Sequence, residues 1–254
     1  MRATVTSLYR HPVKGFTPER LEDADLAVGK GFPCDRLYAV EHGTSGFDPA
    51  APVFIPKLKF AVLMHMADVA RARTAYDEAT GVLTASAEGR PASSGRLTDE
   101  AGRAAFAAWL AELLGEVAEE PLRVIPAPGD WRFMDHPLGH VSIINLASIR
   151  DLEKRIGRPL NPLRFRANLY VDGWAPWAEN DWTGRGMVVG GARATVFKPI
   201  VRCPATHVDP VTAERDIDVV KALFDNYGHA FCGIYLHTTA AGRVVEGDVV
   251  ELSE

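Results

Sequence analysis

Short β-like runs separated by glycine and proline dominate this sequence, and they constrain the fold more than any other feature. TVTSLY near the start and RLYAVEH at 36–42 alternate with period two, which is typical of half-buried strands. FAVLMHM at 60–66 predicts a buried strand, and TAYDEATGVLTASA predicts a hairpin that turns at 78–81. The stretch EGRPASSGR after it is rich in serine and glycine and predicts a loop.

Three amphipathic segments predict helices. The first runs from about 99 to 114, with Thr98 placed to cap it. The others are ASIRDLEKRIG, with Ser148 and Asp151 as a capping pair and Gly157 at its end, and RDIDVVKALFDNYG. Between them VSIINL, FRANLYVDG, RATVFKPIV and CGIYLHTT predict strands. No alternating βαβ series is present, so the sequence predicts a β-rich α+β fold rather than a Rossmann fold.

Composition limits the classes of function. Of 254 residues 47 % are hydrophobic and 24 % are charged, which is ordinary for a globular protein with its own core. The net charge of −5 does not provide a basic surface for nucleic acid, so we expect no nucleic-acid partner. No apolar run approaches the ~20 residues that cross a bilayer, and the N-terminal stretch lacks the apolar region of a signal peptide. We therefore expect a cytoplasmic protein with no membrane partner.

The three cysteines, Cys34, Cys203 and Cys232, are few and odd in number. This count argues against a disulfide framework and fits a reducing cytosol. An iron–sulfur cluster normally takes four cysteine ligands, so any electrons used here must come from another protein or a small reductant. We expect Cys34 and Cys232 to be inert packing thiols.

The loop IVRCPATHVDP concentrates reactive residue types around Cys203. A thiolate is a soft metal ligand and a good nucleophile, and the neighbouring Arg202 is a cation of the kind that lowers a thiol pKa. The residues alone leave two other interpretations open. One is an inert buried thiol, and the other is a structural zinc site formed by Cys203, His207, His229 and Cys232.

Two further clusters place cations at predicted strand ends. HPVKGF has Lys14 before Gly15, where a backbone can approach a ligand closely, and CDR has Arg36 at the start of a strand. Such cations suit a phosphate or carboxylate, although a surface lysine and an Asp–Arg pair in a turn have the same pattern.

Polar side chains also alternate in LRFRANLYVDG. An extended strand would place Arg164, Arg166 and Asn168 on one face, which suits an anion or an amide, or else forms a solvated face. WAPWAENDW, with three tryptophans and two acids, predicts either a pocket wall or a packed loop. The irregular segment 126–140 predicts a junction between two halves.

Taken in order, these motifs resemble MOSC proteins, a family named for the C-terminal domain of molybdenum cofactor sulfurases. HPVKG and GFPCDR resemble the family's N-terminal β-barrel module, and LNPLRFRANLYVDG, ENDW, VRCPATHVDP, FDNYGHAFCGIY and VVEGDVV resemble the MOSC domain. The resemblance implies a MOSC-type β-barrel packed against an N-terminal β-barrel module, with a few short helices. It places the N-terminal module at residues 1–125 and the MOSC domain at 126–254.

The resemblance implies that the cofactor is molybdenum cofactor (Mo-molybdopterin), whose dithiolene binds the metal and whose phosphate needs cations. In the mitochondrial amidoxime-reducing components and their bacterial relatives the cysteine of this loop ligates molybdenum, so Cys203 is the implied metal ligand. The implied catalytic group is Cys203, Asp181, His207 and Arg202. The implied cofactor contacts are Lys14, Gly15, Arg36, Arg166, Asn168, Arg202, Thr206 and Asp209.

The implied activity is an oxidoreductase, independent of pyridoxal phosphate, that removes oxygen from N-hydroxylated small molecules. Its electrons would come from a separate ferredoxin- or flavin-type reductase. Two alternatives are a cofactor carrier or sulfur-transfer protein with a persulfide on Cys203, and a protein that binds the cofactor or another pterin-like anion without catalysis. The chain departs from the reductase pattern at Gly15, where the reductases have Ser, and at His207, where they have Thr. A third departure is FIPKLKF, where they have an Arg-Gln-containing strand.

Overall fold

Strands far outnumber helices in the structure, a computed structural model that describes residues 1–136 and 141–253. The strands are β1 (Arg2–Arg10), β2 (Glu19–Leu21), β3 (Asp23–Leu26), β4 (Tyr38–His42), β5 (Arg73–Asp77), β6 (Val82–Ala87), β7 (Arg90–Arg96), β8 (Leu122–Pro126), β9 (Val141–Asn145), β10 (Leu169–Asp172), β11 (Gly186–Val189), β12 (Ala192–Val201), β13 (Phe231–Ala240), β14 (Gly242–Val245) and β15 (Val249–Leu252). The helices are α1 (Glu100–Leu114), α2 (Leu146–Ile156) and α3 (Val219–Tyr227). Short 3₁₀ turns cover Lys57–Lys59, Ala67–Arg71, Gly115–Val117, Pro162–Phe165, Ala178–Asp181 and Pro204–His207.

A closed barrel of seven strands forms the larger core. Its order is β10–β9–β13–β12–β11–β15–β1, and β1 pairs back to β10 to close it, while β2 continues outward from β1. The pairing of β9 with β10 is parallel, and the other pairings around the barrel are antiparallel. Apolar side chains such as Val5, Ile143, Val196 and Ile234 are buried in this core. The prediction of a β-rich α+β fold is confirmed.

Smaller sheets and α1 form the second core. The three-stranded sheet β5–β6–β7 and the pair β4–β8 pack with α1 around side chains such as Phe16, Val40, Phe106 and Leu110. The predicted boundary after residue 125 falls inside β8. The first half nevertheless supplies β1 to the barrel, and β3 pairs with β14. The two halves are therefore joined through shared sheets.

The predicted strand FAVLMHM is wrong. Phe60 makes an isolated bridge with Glu41, and the chain then turns, with the N–H groups of His65 and Met66 donating to the Val62 carbonyl. Phe60, Val62 and Met66 are all buried. The run is apolar because it is a buried turn. In so short a run, hydrophobic periodicity cannot distinguish a buried turn from a buried strand.

The predicted loop EGRPASSGR is also wrong, because most of it forms β7, the edge strand that pairs with β6. Its small residues allow the strand to approach α1 closely, since a Cβ on Gly95 would lie 3.1 Å from the Gly102 Cα. Tertiary packing has thus overridden the turn-like composition.

The three helices are predicted correctly, but the N-caps predicted for α1 and α2 are wrong. Asp99, rather than Thr98, is the N-cap residue of α1. The N-cap of α2 is Asn145, whose side-chain oxygen accepts from the Ala147 N–H, while the Ser148 hydroxyl donates elsewhere. Gly157 ends α2 in the left-handed conformation, as predicted. No helix in residues 1–136 and 141–253 has the length and apolar character to span a bilayer.

Candidate functional site

Cys203 follows the end of β12 and lines a cavity of about 340 Å³. Both halves of the chain contribute to the wall, with Arg36 and Lys57 from the first half and Arg166 and Arg202 from the second. A narrow extension of about 30 Å³ continues past Cys203 to Lys14 and Gly15. The structure thus brings together most of the cations singled out in the sequence.

Lys57 is a charged neighbour that is hydrogen-bonded to the Cys203 sulfur. Its Nζ lies 3.2 Å from Sγ and donates to it. Burial lowers the pKa of Lys57, but the charges of Asp135 and Cys203 outweigh burial and raise that pKa overall, so the ammonium stays protonated. The sequence analysis missed Lys57, although it is part of the divergent FIPKLKF segment.

A tight turn fixes the loop that carries Cys203. The Thr206 N–H and Oγ1 both donate to the Cys203 carbonyl, at 3.0 Å and 2.9 Å. Thr206 is buried and lines the cavity. Arg202 donates from Nε and Nη2 to the Cys232 carbonyl at 2.8 Å and 2.5 Å, and from Nη1 to the Phe165 carbonyl at 2.8 Å. Arg202 therefore anchors the loop as well as lining the cavity.

Arg36 reaches the cavity from a buried polar network. Its guanidinium pairs with Asp35, which also accepts from the His11 backbone N–H at 2.6 Å and from Asn168 Nδ2 at 3.1 Å. Burial alone would raise the pKa of Asp35, but Arg36, His11 and Asn168 lower it to about 2. Asn168 also accepts from the Ser142 hydroxyl at 2.9 Å. Asn168 thus supports Asp35 behind the cavity rather than lining it.

The predicted common strand face of Arg164, Arg166 and Asn168 is wrong. Pro162–Phe165 forms a 3₁₀ turn, Arg166 has φ +51°, and β10 begins only at Leu169. The three side chains therefore diverge. Arg166 turns into the cavity, where its Nη2 is buried without a hydrogen-bond partner among the described residues. Burial and the Arg36 charge lower the pKa of Arg166 to about 10.

Lys14 and Asp135 form an ion pair in the narrow extension. Lys14 Nζ donates to Asp135 Oδ1 at 2.5 Å and to the Phe133 carbonyl at 2.9 Å. Burial lowers the pKa of Lys14. Burial would raise the pKa of Asp135, but Lys14, Lys57 and Arg36 outweigh it and hold that pKa below its usual range. Among the described residues that line the wide cavity Asp135 is the one carboxylate, and it was not among the predicted site residues.

Gly15 has φ +91°, and a Cβ there would lie 3.0 Å from the Ala61 carbonyl oxygen and 3.1 Å from Val62 Cγ1. We expect Gly15→Ser to lower the free energy of unfolding by about 1–3 kcal/mol, because it combines left-handed backbone strain with a close contact. Urea unfolding of both proteins measures the difference. Gly29→Ser is the matched control, since Gly29 has φ +68° with no atom within 4 Å of a Cβ. Equal losses in the two variants would mean that the contact adds nothing.

The structure does not bring Asp181 or His207 to the cavity. Asp181 is exposed at the end of the turn Ala178–Asp181, whereas Glu179 is the buried acid of that segment. His207 faces the start of α3, with Nε2 3.1 Å from Asp218 Oδ1, and burial is the main reason that its pKa is lowered. A third predicted site residue, Asp209, also lies outside the cavity lining. It accepts a hydrogen bond from Arg164 Nη2 at 2.7 Å and so helps to position that arginine.

The four proposed zinc ligands do not converge. Cys232 is fully buried, and burial raises the pKa of its thiol to about 12. His229 stacks on Tyr227 and Phe231. In the described ranges, no three His, Cys, Asp or Glu side chains form a group suited to a metal ion.

Comparison with known proteins finds two family models that match different parts of the chain. The family models for the MOSC N-terminal beta barrel domain and the MOSC domain match residues 2–122 and 131–251. The molybdenum cofactor sulfurase of Anopheles gambiae is 31 % identical over 106 residues, which cover 37 % of this chain and 14 % of that protein. The one from Danio rerio is 29 % identical over 157 residues, covering 51 % of this chain and 18 % of that protein. The matches therefore take in less than a fifth of the length of these relatives.

A solved structure supports the fold. The YuaD protein from Bacillus subtilis superimposes with a TM-score of 0.50 at 14 % identity, covering 99 % of this chain and 96 % of that one. At this identity the likeness concerns the fold alone.

Proposed function

This chain belongs to the family of MOSC-domain proteins with an N-terminal MOSC barrel domain, and on that premise we propose that its cavity binds molybdenum cofactor through Cys203. The observation that carries the proposal is the Cys203 thiol on a wall otherwise rich in cations. A soft thiolate suits a metal that already has sulfur ligands, and cations suit the cofactor's phosphate.

The residues present fit such a group. Arg36 and Arg166 lie together in the cavity and its extension, and the charge of Arg36 contributes to the lowered pKa of Arg166. Arg166 Nη2 is buried with no partner in the described residues, although buried polar groups are normally hydrogen-bonded. An anion would relieve both the repulsion and the missing hydrogen bond.

The chain's own residues then have separate tasks. Lys14, Arg36 and Arg166 would neutralise and orient the phosphate, and Cys203 would ligate the metal. Lys57 donates to the Cys203 sulfur, and Arg202 and Thr206 hold the loop in place. When bound, the cofactor supplies two-electron redox chemistry at its metal.

We propose that the reaction is the reduction of N-hydroxylated small molecules. The N–O bond breaks, two electrons and two protons are consumed, and water leaves together with the amine or amidine. The electrons come from a separate ferredoxin- or flavin-type reductase. A second candidate is sulfur transfer through a persulfide on Cys203, which is favoured by the match to proteins named molybdenum cofactor sulfurases.

Elemental analysis of protein from molybdate-replete cells tests the proposal, together with reduction of benzamidoxime by a viologen dye as artificial electron donor. We expect stoichiometric molybdenum and formation of benzamidine. Stoichiometric zinc without molybdenum would overturn the cofactor assignment. Cyanide-releasable sulfur on metal-free protein, without turnover, would replace the reductase by the sulfur-transfer candidate.

A further inference from the structure

The wide cavity carries far more positive than negative charge. Six basic side chains of the described residues line it, against the carboxylate of Asp135. The six are Arg36, Lys57, Arg164, Arg166, Lys198 and Arg202. The distribution of this charge bears on what else binds there.

Most of these cations already have partners in the protein. The partners are Asp35 for Arg36, Cys203 for Lys57, Asp209 and Asp216 for Arg164, and the carbonyls of Phe165 and Cys232 for Arg202. Arg166 and Lys198 differ from these four, since neither has a carboxylate at ion-pair distance in residues 1–136 and 141–253, and Lys198 contacts only the uncharged side chain of His136 among its hydrogen-bond partners there. Two cations are therefore available to ligands.

The two available cations lie in different parts of the site. Arg166 lines both the wide cavity and its narrow extension, beside the groups assigned to the cofactor. Lys198 lines only the wide cavity, and its Nζ lies 2.8 Å from His136 Nε2. Burial and the Lys198 charge lower the pKa of His136, so the imidazole is neutral and accepts the hydrogen bond. An ammonium has three donors, and this contact uses one of them.

Lys198 lies within reach of the reactive centre. Lys198 is on β12, and Cys203, five residues later, follows that strand, so their Cα atoms are at most about 17 Å apart at the rise of an extended strand. Met134, Ile200 and Tyr235 line the same cavity and provide apolar wall. Since Lys198 and Cys203 line the same cavity, a compact molecule with an apolar body can contact both residues.

We propose that the substrate is an N-hydroxylated compound bearing a carboxylate, and that this carboxylate binds to Lys198. The inference rests on the proposed reductase function and names its substrate class. A carboxylate fits better than a phosphate, because a single available ammonium matches one negative charge, whereas a phosphate favours several cations. The bond broken is still N–O, with electrons from the same reductase.

The test compares benzamidoxime with 4-carboxybenzamidoxime as substrates of the molybdenum-loaded protein. We expect a KM about 10-fold lower for the carboxylate, as for one charge-assisted hydrogen bond. Lys198→Met should lose most of this ratio while keeping its molybdenum, and Lys198→Arg should restore it. Lys221→Met is the matched control for net charge, since Lys221 is exposed and pairs with Asp225.

Calorimetric binding of 4-carboxybenzamidoxime, without an electron donor, separates this inference from the reductase proposal. If neither compound is reduced, the reductase proposal fails. The carboxylate site is still supported if the affinity for 4-carboxybenzamidoxime falls about 10-fold in Lys198→Met but not in Lys221→Met. Equal affinity for both compounds, or unchanged discrimination in Lys198→Met, would overturn it. If Arg166→Met lost carboxylate binding and Lys198→Met did not, the carboxylate would be bound at Arg166, beside the proposed cofactor contacts, and the proposal for Lys198 would also be overturned.

Discussion

Cys203→Ser is expected to yield protein without molybdenum and without amidoxime reduction. A serine hydroxyl is a harder and much less acidic ligand than a thiol, so it does not replace a thiolate on a sulfur-bound metal. Loss of an outer partner of a metal ligand already costs about 10- to 100-fold in affinity, and loss of the ligand itself should cost more. Elemental analysis and the viologen-linked assay on the same preparation measure both effects.

Cys34→Ser is the matched control for this substitution. Cys34 is half-buried outside the cavity lining, and burial, with Glu78 beside it, raises the pKa of its thiol to about 12. This variant should keep wild-type molybdenum and activity. Molybdenum retained in Cys203→Ser, or lost equally in both variants, would remove Cys203 from the role of metal ligand.

Asp35→Asn is expected to lower the free energy of unfolding by about 3–5 kcal/mol, because it removes the buried carboxylate that pairs directly with the Arg36 guanidinium. Asp35 is 1 % exposed and Arg36 is 7 % exposed, so water cannot compensate. Urea unfolding at pH 7 measures the loss. Asp68→Asn, which breaks the exposed pair with Arg71, should change stability by only about 0–1 kcal/mol. A similar small change in Asp35→Asn would contradict the role given to the network.

The same variant has a distinct pH dependence. The Asp35 pKa falls from 3.8 to about 2 on folding, so the carboxylate stabilises the fold above pH 4 and loses this contribution as the pH drops from 4 to 2. Wild-type stability should therefore fall more steeply than that of Asp35→Asn across this interval. Parallel curves would mean that Asp35 does not carry the charge interaction.

Sequence patterns predicted the parts of the site that follow regular elements. Lys14 and Cys203 follow β1 and β12 by a few residues and Arg36 shortly precedes β4, and the structure brings all three to the cavity and its extension. Lys57 and Asp135 were not predicted because both belong to segments without strand or α-helix periodicity. In such segments only the folded chain determines which side chains line the cavity.

The error at Arg166 has a local cause. Strand alternation was extended through RFRAN, but Pro162 follows Asn161 and starts a 3₁₀ turn, with the Asn161 side chain accepting from the Leu163 N–H. In the turn successive side chains do not alternate between two faces, so Arg164 and Arg166 do not lie on the common face that was predicted. Asn–Pro ahead of the run was the signal available in the sequence.

Closure of the barrel by β1 has a consequence for how the chain folds. Thr4 pairs with Asp172 on one side and with Val249 on the other, so this part of β1 pairs with strands distant in sequence, whereas its other end pairs with the nearby β2. Barrel closure therefore depends on long-range pairing, which is slow compared with formation of a local pair such as β1–β2. Because residues of both halves line the cavity, it is complete only after β1 has docked between β10 and β15, so a ligand of this cavity binds after the barrel has closed.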